Sequence, residues 1–212
     1  MNLKILAAAT AAVALTAGAA NAGAIVLSDN FDGSTPQGNW PGDGTFLSIP
    51  QPGNVNGLPS VDLVGGNFFG GLAFSGNSVD LDGSTTNPAS NPAGEIQSIA
   101  TLTGDFTVQF LLAGNNRGAP AETTEVAIGG THFDLTPANT DGYTQQTLFF
   151  KGVSGQLSFT DLGVSDQQGN LLDNVVVTSG VPEPATWAVM LAGFGGLGVA
   201  MRSRRKQAAA TA

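Results

Sequence analysis

Apolar and polar positions alternate along much of the chain. Phe106, Val108, Phe110 and Leu112 interleave with Thr107 and Gln109. A period of two predicts a strand with one buried face. Leu157 and Phe159 alternate in the same way with Ser158 and Thr160, and Val175 and Val177 do so more weakly because Val176 is apolar as well. Further short runs occupy 24–31, 67–74, 78–81, 95–102, 124–133 and 143–150. Turn-forming clusters separate them, at Asp82-Gly83, Asn115-Asn116, Gly129-Gly130, Asp141-Gly142 and Gln168-Gly169-Asn170. No helical repeat of apolar residues interrupts this region. The spacing predicts an all-β body of about eight to ten strands, a β-sandwich or jelly roll rather than a parallel sheet.

Residues 33–59 break the pattern. They hold Pro36, Pro41, Pro50, Pro52 and Pro59 among many Gly and Asn. This reads as one long surface loop, a candidate lid over one end of the sandwich. Residues 87–92 read as a second loop, and long loops on a rigid sandwich are where ligands bind.

Both ends of the chain differ from the body. Lys4 precedes an apolar run over 5–17, and Ala20-Asn21-Ala22 forms an A-x-A site. That is the pattern of a secretory signal peptide over 1–22, cleaved by signal peptidase before Gly23. The apolar run is too short to span a bilayer comfortably. At the other end, Pro182 and Pro184 bar a helix from starting earlier, and Glu183 suits the positive helix end. Residues 185–201 carry no charge. A helix of that length covers about 26 Å at about 1.5 Å per residue, just short of a ~30 Å hydrocarbon core. Trp187 suits the interface, and Arg202, Arg204, Arg205 and Lys206 form a stop that favours the cytoplasmic side. The segment therefore predicts a single membrane helix in the cytoplasmic membrane, with the C-terminus inside. Residues 193–198 also match G-x-G-x-x-G. A dinucleotide site needs that motif between a strand and a helix with an acid about 20 residues on, and here basic residues follow instead.

Composition narrows the function classes. The chain has 212 residues, a formal charge of −9 and 42% hydrophobic residues, enough for a core. It contains no Cys, which excludes disulfides, thiolate catalysis and Cys-based zinc sites. An exported protein without disulfides needs another source of rigidity, and a bound cation is one candidate. Of its seven basic residues, only Arg117 and Lys151 fall in the body, 23–180. Such a surface repels nucleic acid and suits divalent cations or neutral glycans.

The C-terminal pattern carries a family likeness. Pro182-Glu183-Pro184, Trp187-Ala188, the Gly-rich apolar run with Gly193-Phe194-Gly195, and the Arg-rich stop resemble a PEP-CTERM sorting signal of the P-E-P-x-x-W-A form. The likeness covers about 25 of the 212 residues, 181–206, with a short tail at 207–212. It implies recognition by an exosortase, a membrane-embedded processing enzyme of Gram-negative bacteria that make exopolysaccharide. Pro182, Glu183 and Pro184 would be its recognition element, and an exopolysaccharide matrix the expected surroundings. In the body, residues 77–84 and 171–177 resemble segments of galactose-binding-like jelly rolls. In such folds a structural calcium often joins the chain ends, which here implies Asp29, Asn30 or Asp32 near Asp173.

Candidate chemistry in the body is sparse. Asp80 and Asp82 stand two apart, so on a strand both face one way. Paired carboxylates bind calcium or do acid/base work, and they also simply end a solvated strand in an Asp-Gly turn. Asp29 to Asp32 with Asp173 is the better calcium set. His132 is the only histidine. No G-x-S-x-G elbow accompanies it, so a serine triad is not expected, and His132 reads as an exposed strand residue. Trp40 in its Gly/Pro-rich loop is either a sugar-stacking platform or a plug that seats the loop on the sandwich. Asn115, Asn116 and Arg117 form a polar turn that can add hydrogen bonds. A single T-x-T, Thr101 and Thr103, is too little for an ice-binding array. The expectation is a non-enzymatic exported surface protein within extracellular polysaccharide. The alternatives are a calcium-stabilised carbohydrate-binding module and, least favoured, a hydrolase of matrix glycans.

Overall fold

A computed structural model describes residues 23–51, 57, 60–84 and 93–180, all within the unit Gly23–Val181. The expected signal peptide, the sorting segment with its helix over 185–201, the basic stop, the tail and the loop over 87–92 lie outside the described residues. Within them the chain is all-β. Its strands are β1 (Ile25–Asp29), β2 (Phe46–Ile49), β3 (Asp62–Gly65), β4 (Asn77–Asp80), β5 (Glu95–Ala113), β6 (Thr124–Ile128), β7 (Thr131–Leu135), β8 (Thr144–Asp161) and β9 (Leu171–Ser179). No helix occurs among the described residues.

All pairings are antiparallel and follow the order β3-β4-β9-β5-β8-β6-β7, with β1 added to β9 and β2 to β5. Two strands are unusually long, β5 at 19 residues and β8 at 18. They pair along their whole length, with register breaks between Gln97 and Thr101 and between Gly104 and Phe106. Before the breaks β5 pairs with β2; after them it pairs with β9. A strand that changes partners at a bulge serves two layers. The bend is pinned where the Gly152 amide donates to Asp105 Oδ1 at 2.6 Å.

The core lies between the two layers. Phe46, Ile96, Val126, Ile128, Leu157 and Phe159 come from one, and Leu63, Val79, Val108, Phe110, Leu112, Phe150, Val175 and Val177 from the other. Ring pairs join them: Phe110 meets Phe159 at 5.1 Å and Phe133 meets Phe150 at 5.1 Å, both edge-on. The alternation over 108–112 thus has the expected cause, whereas Thr107, expected on the outer face, is buried. Val108, Phe110 and Leu112 are buried, while Gln109 and Leu111 are partly exposed. Each large side chain buried this way contributes about 1.5–3 kcal/mol.

Several boundaries differ from the pattern-based expectation. The runs at 95–102 and 106–112 are one strand, and so are those at 143–150 and 157–159. The run 124–133 splits into the hairpin β6–β7. Gly129 turns it with φ near +59°, and a Cβ there would stand 2.4 Å from the Ser154 carbonyl oxygen. Residues 67–74 form turns instead of a strand. Most consequential, the expected surface loop 33–59 contains β2, and Trp40 and Phe46 are wholly buried. The Trp40 amide donates to the Val61 carbonyl at 2.7 Å, and Gln37 and Leu63 exchange two backbone bonds. Asp43 Oδ1 accepts from the amides of Thr45 and Phe46 and turns the chain into β2. The segment's described part, 33–51, packs into the core instead of forming a surface loop.

Candidate functional site

Four acids meet at one end of the sandwich. Asp82 follows β4, Glu122 precedes β6, Asp161 ends β8, and Asp166 lies in the loop to β9. Ligand oxygens of Asp82, Glu122 and Asp166 all lie within 4.8 Å of one another. Asp161 adjoins Glu122, and its charge helps raise the Glu122 carboxyl. Asp82, Glu122 and Asp161 are 0, 3 and 5% exposed. Asp82 Oδ2 accepts the amides of Asp166 and Gln167, both at 2.7 Å. Asp161 Oδ1 accepts the Gly163 amide at 2.7 Å. The remaining oxygens are different: both of Glu122, Oδ2 of Asp161 and Oδ1 of Asp166 are buried with no donor.

Electrostatics follow from that arrangement. Burial first, then the charges of Asp161, Asp82 and Asp166, push the Glu122 carboxyl far above the ordinary range. Asp161 is raised, chiefly by burial. Asp82 rises to about 6, again by burial, although the Asp166 and Gln167 amides pull it down. The loop leaves little room around the acids. A Cβ at Gly163 would lie 2.5 Å from Glu122 Oε1, and one at Gly169 would lie 2.9 Å from Asp161 Oδ2. Asn170 fixes the floor by donating to the Glu122 carbonyl and to Thr124 Oγ1 at 2.9 and 3.0 Å.

Asp80, expected to share a face with Asp82, serves another purpose. It is buried and ion-paired with Arg117 at 2.6 Å. Burial holds its carboxyl well above the usual range, and Arg117 opposes the shift. Neither acid is the solvated end of a strand. The polar turn at Asn115–Arg117 is likewise structural: Asn115 Oδ1 accepts the Arg117 amide at 2.8 Å, and Asn115 Nδ2 donates to the Gln168 carbonyl. This ties the turn to the loop that caps Asp82.

Beside that turn opens a cleft of about 310 Å³. Leu72, Phe74, Asn115, Asn116, Asp141 and Tyr143 line it. Phe74 is 55% exposed. Its ring stands 5.2 Å from that of Tyr143, whose hydroxyl donates to the Leu72 carbonyl at 2.8 Å. An exposed aromatic beside amide and carboxylate groups has the chemistry of a sugar-stacking wall.

The chain-end acids are placed otherwise. Asp29 Oδ1 accepts the Phe31 amide at 2.8 Å. Asp32 accepts from the Asn77 amide and from Asn30 Nδ2, each at 2.8 Å. Asp173 is buried and pushed up to about 6, mainly by burial, with the charges of Asp32 and Asp29 adding to it. The three therefore feel one another, but they are not among the groups of three whose ligand atoms lie within 4.8 Å. Among the described residues those are the cluster above and the trio Glu125, His132 and Asp134. His132 is exposed on β7. Of the two roles expected for Trp40, the geometry fits the plug and not the platform: with its ring buried and set edge-to-face on Phe31 at 5.9 Å, it offers no face to a sugar. Glu122, Asp161 and Asp166 were not legible as site residues. They are up to 84 positions from Asp82, and only the strand pairing brings them together.

A family model, the PEP-CTERM protein-sorting motif, matches residues 180–206. A search of curated proteins by sequence finds no match. Among solved structures, the K3 cleaved adhesin domain of Lys-gingipain from Porphyromonas gingivalis w83 aligns with TM-score 0.54 at 18% identity, covering 74% of this chain and 100% of that one. The K2 domain of the same protein aligns with TM-score 0.47 at 18% identity, over 68% and 98%. The CBM22-1 xylan-binding domain of Paenibacillus barcinonensis Xyn10C aligns with TM-score 0.40 at 16% identity, over 77% and 100%. These neighbours are jelly-roll domains of the galactose-binding-like kind. The chain carries a PEP-CTERM sorting motif, which implies an exported, membrane-anchored precursor processed by an exosortase, and that motif follows an all-β body.

Proposed function

We propose that this is a non-enzymatic surface protein, delivered through the sorting motif, whose sandwich engages extracellular polysaccharide. The observation that carries the reading is the motif at 180–206 following a β-sandwich whose exposed aromatic cleft is rimmed by polar groups. In this reading the signal peptide is removed before Gly23, and Pro182, Glu183 and Pro184 present the processing site. The helix over 185–201 holds the precursor in the cytoplasmic membrane, with Arg202, Arg204 and Arg205 inside. Phe74 would stack on a sugar ring while Asn116 and Asp141 meet its hydroxyls. A hydrolase is disfavoured at the cleft-side cluster because Asp82, Glu122 and Asp161 are buried, so a sugar chain cannot reach between them. The calcium-stabilised carbohydrate-binding module is the second reading. The same cleft favours it, and a defined glycan specificity would separate the two.

Fractionation with intact-mass measurement tests delivery, in hosts with and without the exosortase. The expected result is a chain lacking 1–22 in both, with the C-terminal segment retained in the membrane fraction only when the exosortase is absent. Full-length chain free in the cytosol would refute the reading. Affinity electrophoresis through host exopolysaccharide tests the cleft: Phe74→Ala should lose retardation, and no retardation of the unaltered protein would remove the glycan part.

A further inference from the structure

We infer that Asp82, Glu122, Asp161 and Asp166 form a binding site for a hard divalent cation of the calcium class, distinct from the chain-end acids. The carrying observation is the set of buried carboxylate oxygens without donors. Apart from a proton that Glu122 and Asp161 can share, both Glu122 oxygens, Asp161 Oδ2 and Asp166 Oδ1 have no hydrogen-bond donor. Glu122 is 97% buried, and its carboxylate lies with those of Asp82 and Asp166 inside one 4.8 Å group. Unpaired buried carboxylates are costly, and burial of several together is tolerated when a cation or a proton compensates them.

No side-chain cation supplies that compensation. Arg117 is committed to Asp80, and the body's other base, Lys151, is exposed on β8. A proton shared between Glu122 and Asp161 would neutralise one charge and leave the others. A divalent ion meets all of them, and calcium takes six to eight oxygens at about 2.3–2.6 Å in flexible geometry. The donor set contains only carboxylate oxygen, with no imidazole or sulfur, which selects against softer transition metals. Two glycines keep the space open. A Cβ at Gly163 would press on Glu122 Oε1, and one at Gly169 would first meet the Asp82 backbone nitrogen and then Asp161 Oδ2.

The cation would close the turn between β8 and β9. Asp161 and Asp166 belong to that connection, whereas Asp82 and Glu122 belong to its neighbours on either side. The same loop receives Asn115 Nδ2 on its Gln168 carbonyl, so the bound ion would also steady one wall of the Phe74 cleft. The inference does not depend on the glycan reading, because the probe is the ion alone.

The test is calorimetric titration of chelator-treated, detergent-solubilised full chain with calcium chloride, with thermal melts in parallel. Extracellular modules bind calcium with dissociation constants of about 10⁻⁴–10⁻³ M. About 10 mM calcium should then raise the melting temperature by roughly 3–11 °C. Glu122→Gln and Asp161→Asn should abolish binding heat and shift. Both variants should melt no lower than the unaltered chain in chelator, since each removes a buried charge. Asp173→Asn should keep the shift. A calcium-indifferent unaltered chain would overturn the inference in favour of a shared proton. A shift kept in Glu122→Gln and lost in Asp173→Asn would overturn it in favour of the chain ends.

Discussion

Two groups of acids in this sandwich are built in opposite ways. Near the end of β1, Asp29 and Asp32 sit three residues apart and find donors at once. Asp29 accepts from Phe31, and Asp32 accepts from Asn30 and Asn77. Asn77 returns the favour by donating to the Phe31 and Ser34 carbonyls at 3.1 and 2.8 Å. At the other group, Asp82, Glu122 and the pair Asp161 and Asp166 arrive from three separate stretches and leave four buried oxygens without donors. Acids close in sequence can fold the local backbone around themselves, because short polar side chains bond amides one or two residues on. Acids brought together by strand pairing have no such freedom. They are compensated by a neighbouring cation or remain costly.

The largest test of that contrast is the one buried acid here with a visible counter-charge. Arg117→Met should strand Asp80 in the core and cost about 3–5 kcal/mol in urea unfolding at neutral pH. The pH dependence has a definite sign. The folded Asp80 carboxyl already lies above its unfolded value, so stability rises as pH falls toward the unfolded carboxylate range. Without Arg117 that rise steepens, and the deficit of the variant should shrink between neutral pH and about pH 4. A deficit that does not depend on pH would show that lost packing of the Arg117 stem, rather than the orphaned charge, is responsible.

A smaller effect is expected at Asn77 beside Asp32, although Asp173 Oδ2 in the same set is buried without a donor. Asn77→Ala removes both bonds to the 31–34 turn and leaves two carbonyls short of a donor. A loss of about 1–3 kcal/mol should follow. Because hydrogen bonds hold this turn, the loss should be the same in calcium and in chelator. A loss that calcium reverses would mean that the chain-end acids, too, are organised around an ion.

The same contrast explains what could be read in the chain beforehand. The all-β class, the turn at Gly129-Gly130, and the buried face of 108–112 follow from local rules of periodicity and turn chemistry, whereas Asp82-Gly83 is no turn. The expected eight to ten strands bracket the nine observed. β2 and β3 escaped because they are four residues each, too short for a period to show, and β3 is buried throughout. The bend in β5 and β8 divided each strand into two runs, because Asp105 and Gly152 interrupt the apolar pattern. In the structure they bond each other across the pair. Trp40 was legible as a plug, but the prolines and glycines around it hid that its stretch holds a strand and is not a surface loop. The cluster around Glu122 was the least legible. Asp82 drew notice for its neighbour Asp80, yet that neighbour pairs with Arg117, and the true companions lie 40, 79 and 84 residues further along.

The smallest expected change in stability is also the one that most directly separates packing from ion binding. A Cβ on Gly163 would stand 2.5 Å from Glu122 Oε1. The atom it meets is the tip of a flexible side chain, so Glu122 can swing aside and Gly163→Ala should cost about 1 kcal/mol or less in chelator. Swinging aside, however, takes the carboxylate out of the group it shares with Asp82 and Asp166. Hard cations need several oxygens at about 2.3–2.6 Å together, so the methyl should remove most of the calcium-induced rise in melting temperature. Gly44, with nothing within 4 Å of its Cβ position, is the matching control. Gly44→Ala should leave the calcium response intact. Equal responses in the two variants would mean that the space beside Glu122 serves packing alone, because only a site that needs the carboxylate in place can distinguish one added methyl from the other.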